Sequence, residues 1–240
     1  MNLEQNLQQL VLQLNHWQFF LVSFVGFSVL YFSFCTISYY LFCVKRIWPR
    51  VQDKEFRPGQ IKTEIKRSFL SILMFSLLAI WLCEGLKRGI YKFDFEFKLN
   101  TFLVEVVVLF FWNEIYFYSF HRLFHLKSLY KYHVDHHYSF VPSPFSAYSF
   151  HWTEGVILGA VMPAVMFFHD FQFYSIMILP TMSITMNVLG HSNIDFFPKS
   201  GQGSLLSFSK RHSLHHKIPH SNFGFFLPWF DQLFKTVAKD

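Results

Sequence analysis

Apolar positions in this chain gather into long blocks rather than alternating or repeating at helical spacing. Four blocks are long enough to enter a bilayer, whose hydrocarbon core takes about 20 helical residues to span. The first runs from about Trp17 to Val44 and stops against Lys45 and Arg46. A second covers about Phe69 to Leu86, a third about Phe102 to Phe120, and a fourth region extends from roughly Val156 to Leu189. The last is long enough for a helical hairpin. Its bend is expected at His169-Asp170, two polar residues too costly to face lipid at mid-bilayer. The pattern therefore predicts an all-α, polytopic membrane helical bundle, with the intervening polar segments forming a helical cap.

Composition agrees with lipid as part of the solvent. Apolar residues make up 52% and charged residues only 15% of 240 positions, well below the quarter usual in soluble domains. The length suits one membrane-embedded domain, residues 1–240, and the chain shows no internal repeat or flexible linker. Net charge is +6, but residues 1–44 contain no Lys or Arg at all, so a nucleic-acid partner, which would need a solvated basic groove, is excluded. Positive charge reads as orientation instead. The stretch from Lys45 to Arg67 holds eight Lys/Arg and the stretch from Lys87 to Lys98 holds four, which places the first on the cytoplasmic side. Segments after the third span and after the hairpin then share that side. A bacterial inner membrane and the endoplasmic reticulum both fit. The polar opening, Asn2 to Gln13, lacks a basic n-region, so the first apolar run is expected to be retained. Cys35, Cys43 and Cys83 lie in or beside apolar runs without metal-ligand spacing and are expected to pack.

Chemistry is concentrated in histidine. Eight of 13 histidines fall in three boxes on the cytoplasmic side: His121-x-x-x-His125, His133-x-x-His136-His137 and His212-x-x-His215-His216. At this histidine frequency chance supplies about 0.7 matches to the first pattern but only about 0.04 to the second, which occurs twice. Residues at i, i+3 and i+4 share a helix face, so each box can aim its imidazoles together. Adjacent histidines diverge by about 100°, so His136 and His137, like His215 and His216, are better placed to serve two neighbouring metals than one. Four nitrogens fill a structural zinc site, which would leave half of the eight without a role. A metal-free interfacial belt is poorer still, because neutral imidazoles offer each other little and charged ones repel. Asp135 or Ser213 could fix ring orientations.

The remaining histidines divide. His191 directly follows a span and returns to the face of the boxes, as a candidate ninth ligand. His151 starts the hairpin region and could line the pocket or anchor at the interface. His220 could share the face of His216, but Pro219 intervenes. His16 and His169 lie away from the boxes and are expected to be structural.

These boxes, in their order and separations, resemble the fatty acid hydroxylase and sterol desaturase superfamily, and the resemblance covers about Asn113 to Thr236, including the closing segment Trp229-Phe-Asp231-Gln-Leu-Phe234-Lys-Thr236. It implies a non-haem di-iron centre held by His121, His125, His133, His136, His137, His191, His212, His215 and His216. It also implies O2-dependent hydroxylation or desaturation of an unactivated C–H bond in a membrane lipid, fatty acyl or sterol. Zinc can replace iron in an all-nitrogen site during purification. No flavin, haem or iron–sulfur motif is present, so an external electron-transfer protein is implied. Two positions depart from the family pattern: His151-Trp152-Thr153-Glu154 stands where His-Pro often precedes the glutamate, and Lys235 stands where Gly usually precedes Thr. The alternative from another class is a non-catalytic membrane zinc protein or transporter.

Overall fold

The computed structural model describes residues 3–238 and is helical throughout, with only two isolated bridging contacts between extended segments among them. A short amphipathic helix, α1 (Leu3–Gln13), precedes α2 (His16–Tyr39), which continues through a wider π turn at Tyr40–Val44. The start of α2 is fixed by a capping box: Asn15 Oδ1 accepts from Gln18 N at 3.0 Å, and Gln18 Oε1 accepts from Asn15 N at 2.8 Å. Next come α3 (Gln60–Lys87) and α4 (Leu99–Phe124). The hairpin follows as two short helices, α6 (Trp152–Gly159) and α7 (Val161–Met166), and a returning helix, α8 (Phe173–Gly190).

Four segments are long and apolar enough to cross a membrane: His16–Val44, Gln60–Lys87, Leu99–Phe124 and Phe173–Gly190. All exceed their apolar cores at one end or both. Helix α3 starts nine residues before Phe69, so Lys62, Lys66 and Arg67 ride on its first turns instead of forming part of a loop. Helix α4 runs on to Phe124, which puts His121 inside its last turn. Large apolar side chains such as Val25, Val29, Leu103, Val104 and Val107 stand exposed on α2 and α4, as lipid-facing positions do.

The hairpin bends where polarity predicted. His169 Nε2 lies 2.8 Å from Glu105 Oε1, and Glu105 Oε2 accepts from Gln172 N at 3.0 Å and from the Ser175 hydroxyl. One buried carboxylate on α4 thus anchors the whole turn. The outgoing limb is broken at Ala160, with Pro163 just beyond, and α4 donates to carbonyls on both sides of the break. Tyr116 Oη donates to Ile157 O at 2.6 Å and Trp112 Nε1 donates to Val161 O at 2.9 Å.

The C-terminal ends of α2, α4 and α8 and the N-terminal end of α3 meet at one end of the bundle. There the chain builds the cap from α5 (Val134–His137), α9 (Phe208–Lys217), α10 (Trp229–Leu233) and the loops between them. Two packed cores stabilise the bundle, one near the cap around Tyr31, Ile72, Phe145, Tyr148 and Ile184, the other near the far end around Tyr91, Leu109, Phe171, Ile176 and Leu179. Between them lies an apolar cavity of about 370 Å³.

Candidate metal centre

All nine histidines from the boxes and His191 converge, and they do so in two groups. His121, His125, His133, His137 and His215 form one; His136, His191, His212 and His216 form the other, with the potential ligand atoms of each group within 4.8 Å of one another. The boxes cross over. Box two gives two imidazoles to the first group and one to the second, box three does the reverse, and each i, i+4 pair stays together while the i+3 histidine goes to the other group. Adjacent histidines are separated, as helical geometry requires.

Elements of very different length hold these rings. His121 sits in the last turn of α4 and His125 caps it; α5 is a single turn presenting His136 and His137, with His133 at its start. Helix α9 carries the third box, and His191 caps α8. Seven of the nine are buried, with His125 and His137 only partly covered.

Hydrogen bonds on the far side of four rings fix their tautomers. Nδ1 of His121 lies 2.7 Å from Phe223 O, that of His191 2.7 Å from Asn187 O, and that of His215 2.6 Å from Ser221 O. Backbone carbonyls only accept, so these Nδ1 atoms carry the proton and Nε2 is left with a bare lone pair. His133 Nδ1 is similarly placed 2.7 Å from Glu154 Oε1, both side chains being buried.

Those Nε2 atoms point at other imidazole nitrogens. His137 Nε2 lies 3.1 Å from that of His133, 3.2 Å from that of His215 and 3.3 Å from that of His125. In the second group His191 Nε2 lies 2.9 Å from His212 Nε2 and 3.2 Å from His136 Nε2, and His212 Nε2 is 3.3 Å from His216 Nε2. A single proton on His137 can serve one of its three neighbours, so lone pairs face lone pairs at hydrogen-bond distance. His121 Nε2 has no partner among the described residues. A cation resolves the conflict. Metal–nitrogen bonds of about 2.0–2.1 Å place neighbouring ligands about 2.8–3.0 Å apart at right angles and about 3.3–3.4 Å apart in a tetrahedron, and the observed 2.9–3.3 Å falls between these limits. The residues therefore fit a metal in each group.

Burial also keeps the set in its ligand form. Desolvation, reinforced by repulsion between neighbouring imidazoles, lowers His133, His136, His137, His212 and His216 well below the ordinary histidine value. The same effects bring His125 down to about 2, and burial brings His191 and His215 to about 4. All are neutral at pH 7.

Other polar groups brace the cap. Gln52, from the basic segment, is buried: its Nε2 donates to Phe140 O at 3.0 Å and Ser213 O at 2.9 Å, and its N donates to Asn193 Oδ1 at 2.9 Å. Asp231 accepts from Phe223 N, Gly224 N and Thr236 Oγ1. Arg211, fully buried in α9, donates to the carbonyls of Gln202, Ser204 and Phe226, while Glu114 Oε2 accepts from Phe226 N and Leu227 N. Of the aromatic series in the closing segment, Phe223 and Phe225 are buried, Phe225 against His191 and His212, whereas Trp229 and Phe234 stay exposed, Phe234 stacked on Tyr118.

Two expectations about ring orientation are corrected. Asp135 pairs with Arg67 at 2.6 Å and Ser213 donates to Asn193 Oδ1 at 2.7 Å, so neither hydrogen-bonds a histidine. Carbonyls and Glu154 take that role. The lone acid Glu154, opening an otherwise apolar helix, was the available sequence signal; the carbonyls had none. His151 caps α6, accepting from Thr153 N at 3.3 Å, and His220 is exposed. His16 pairs with Glu84 at 2.9 Å, remote from the cap. Lys235, where a glycine was expected, has φ +56°, a backbone region that favours glycine.

The wall of the cavity nearest the histidines is made by Phe117, Phe150 and Asn187, which contact His121, His136 and His191 respectively. Its other lining is mostly apolar, including Val22, Phe27, Leu30, Phe75 and Leu82, with Asn113 and a few hydroxyl side chains among them.

Comparison with known proteins gives a consistent picture. The fatty acid hydroxylase model matches residues 106–236. A Delta(7)-sterol 5(6)-desaturase of Gibberella zeae is 27% identical over 210 residues, 86% of this chain and 64% of that protein. Lathosterol oxidase of Homo sapiens is 24% identical over 222 residues, 89% of this chain and 72% of its own length. A very-long-chain aldehyde decarbonylase of Oryza sativa subsp. indica is 26% identical over 236 residues, 93% of this chain but 37% of its own. The chain thus spans less than two thirds of the fungal and rice relatives. No solved structure matches.

Proposed function

The chain belongs to the fatty acid hydroxylase family, and from that premise we propose that it is an O2-dependent di-iron lipid hydroxylase or desaturase acting on an unactivated C–H bond. His121, His125, His133, His137 and His215 would hold one iron, and His136, His191, His212 and His216 the other. The observation that carries this reading is the set of bare Nε2 lone pairs converging in two groups beside a lipid-sized apolar cavity. A transporter would need its ligands within the spans, whereas these gather at their ends.

When bound, the two metals supply O2 activation and one-electron redox chemistry. The protein's residues do the rest. The carbonyls of Phe223, Asn187 and Ser221, with Glu154, hold four imidazoles in the tautomer that presents Nε2. Phe117 and Phe150 set how closely a substrate C–H bond can approach, and the apolar lining excludes bulk water from the reacting carbon. Hydroxylation consumes one C–H bond, O2, two electrons and two protons and yields an alcohol and one water; desaturation consumes two C–H bonds and yields an alkene and two waters. The electrons come from an external electron-transfer protein. The excess of Lys and Arg in residues 45–67 supports a cap, and hence a donor, on the cytoplasmic side.

The test is to compare total lipid extracts by mass spectrometry from iron-replete cells expressing the wild type or His216→Ala. A lipid gaining one oxygen or losing two hydrogens with the wild type alone is expected. Metal-loaded wild-type protein that alters no lipid would leave a non-catalytic metal-binding protein as the better reading.

A further inference from the structure

The apolar cavity contains a polar feature that neither the metal centre nor the packing uses. Asn113, on α4, is 5% exposed, lines the cavity and makes no side-chain hydrogen bond among the described residues. Asn187, on α8, is 6% exposed and also lines it; its Nδ2 donates to Ser183 O at 2.9 Å, but its Oδ1 has no partner there. Burying an unpaired carboxamide among apolar side chains costs stability, and a packed interior would favour leucine at either position.

Their register places them above the histidines. Asn113, Phe117 and His121 follow one another at i, i+4 and i+8, so Asn113 lies about 12 Å along α4 from His121, and Asn187 lies about 6 Å along α8 from His191. The carboxamides therefore stand one and two helical turns above the metal-binding layer, at the depth where the neighbours of a reacting carbon would lie. Ligand pockets typically combine an apolar wall with a few placed polar groups of this kind. Asn187 Oδ1 can accept from a hydroxyl, and Asn113 Nδ2 can donate to a hydroxyl or a carbonyl.

We propose that Asn113 and Asn187 are specificity determinants that recognise a hydroxyl or carbonyl oxygen close to the oxidised carbon, so that the cavity selects oxygenated lipids over plain hydrocarbon chains. The proposal rests on the cavity being the substrate site of the oxidase described above. A binding measurement separates the two, because it requires no turnover.

The test uses the metal-loaded protein in lipid nanodiscs and two matched probe pairs, lathosterol with cholest-7-ene and hexadecan-1-ol with hexadecane, in radioligand equilibrium binding. In the wild type the oxygenated member of at least one pair should bind about tenfold tighter or more. Asn113→Leu and Asn187→Leu should each erase most of that advantage, with unchanged metal content and an unchanged or raised melting temperature. That last readout is decisive against a structural role, since removing a side chain that holds the fold together would lower it. Lack of preference for the oxygenated member in both pairs, including failure of all four to bind, would overturn the proposal. So would a marked drop in melting temperature in both variants.

Discussion

One carboxylate holds the closing segment against the histidines, and its removal tests the metal centre without touching a ligand. Asp231 is fully buried and accepts from Phe223 N at 2.9 Å, Gly224 N at 2.7 Å and Thr236 Oγ1 at 2.6 Å. On the same residue, Phe223 O accepts from His121 Nδ1. Asp231→Ala strands two buried peptide N–H groups and a hydroxyl, at about 1–3 kcal/mol each. That is comparable to everything holding a short segment in place, so the segment should open toward water. Opening withdraws the carbonyls of Phe223 and Ser221 that orient His121 and His215, both in the five-histidine group. The other group keeps Asn187 O, which lies in α8. Loss of an orienting partner typically weakens metal binding about 10–100-fold. Elemental mass spectrometry after mild chelation should therefore show metal falling from about two per chain toward one, with Asp231→Asn intermediate because it keeps one acceptor oxygen. Gly224→Ala attacks the same contact independently, since its Cβ would sit 2.7 Å from Asp231 Oδ2 and 2.8 Å from Leu227 O. Wild-type metal retention and melting temperature in Asp231→Ala would refute the reasoning.

The other expectations are simpler to state. Deleting a ligand should affect one group at a time: His137→Ala should release metal from the five-histidine group and His216→Ala from the four-histidine group, and both should abolish lipid oxidation, whereas His16→Ala should do neither. In metal-free protein, His191 and His215 titrate near 4 when folded against 6.5 when unfolded, so the unfolded state binds more protons in that window. Their contribution is complete above pH 6.5 and is lost as pH falls toward 4, at about 1.4 kcal/mol per pH unit for each; melting temperatures that do not fall in this window would contradict it. Lys235→Gly should stabilise by about 1 kcal/mol by relieving a left-handed backbone, read in a thermal melt. Cysteines placed at Lys62 and Leu206 of a cysteine-free variant should react with an impermeant reagent from the same face of sealed vesicles and one at Lys92 from the opposite face, all three sites being exposed.

The parts of this protein legible in the sequence are those governed by local chemistry. Hydropathy located the spans because a bilayer imposes its thickness on every helix that crosses it, and the cost of placing His169 and Asp170 in lipid located the bend. The histidine boxes stood out because i, i+4 spacing is a property of one helix. What could not be read was the allotment of i+3 histidines. That depends on how the single turn of α5 faces α9 across the cap, a contact between residues some 80 positions apart. Ring orientation was hidden for a related reason: carbonyl oxygens belong to every residue and leave no mark in composition, so Asp135 and Ser213 drew attention that belonged to Phe223, Asn187 and Ser221.

The basic segment, Lys45 to Arg67, shows the same division. Its charges stand out in the sequence, but its position depends on Gln52, whose side chain reaches Ser213 inside the third box, and on Gln60, which donates to Val141 O at 2.8 Å and Glu64 Oε1 at 2.7 Å. Neither glutamine is apolar or charged, so neither shows in hydropathy or charge patterning. Yet a four-residue α5 cannot form alone, since one turn does not recover the cost of nucleating a helix. It exists because Glu64 accepts from Ser139 Oγ just past it, Arg67 donates to Asp135 within it, and Gln52 reaches Phe140 O beyond it. The second histidine box is thus shaped from outside. Substitutions at Gln52, Glu64 or Arg67 should act on the metal site through α5, although none of the three is a candidate ligand.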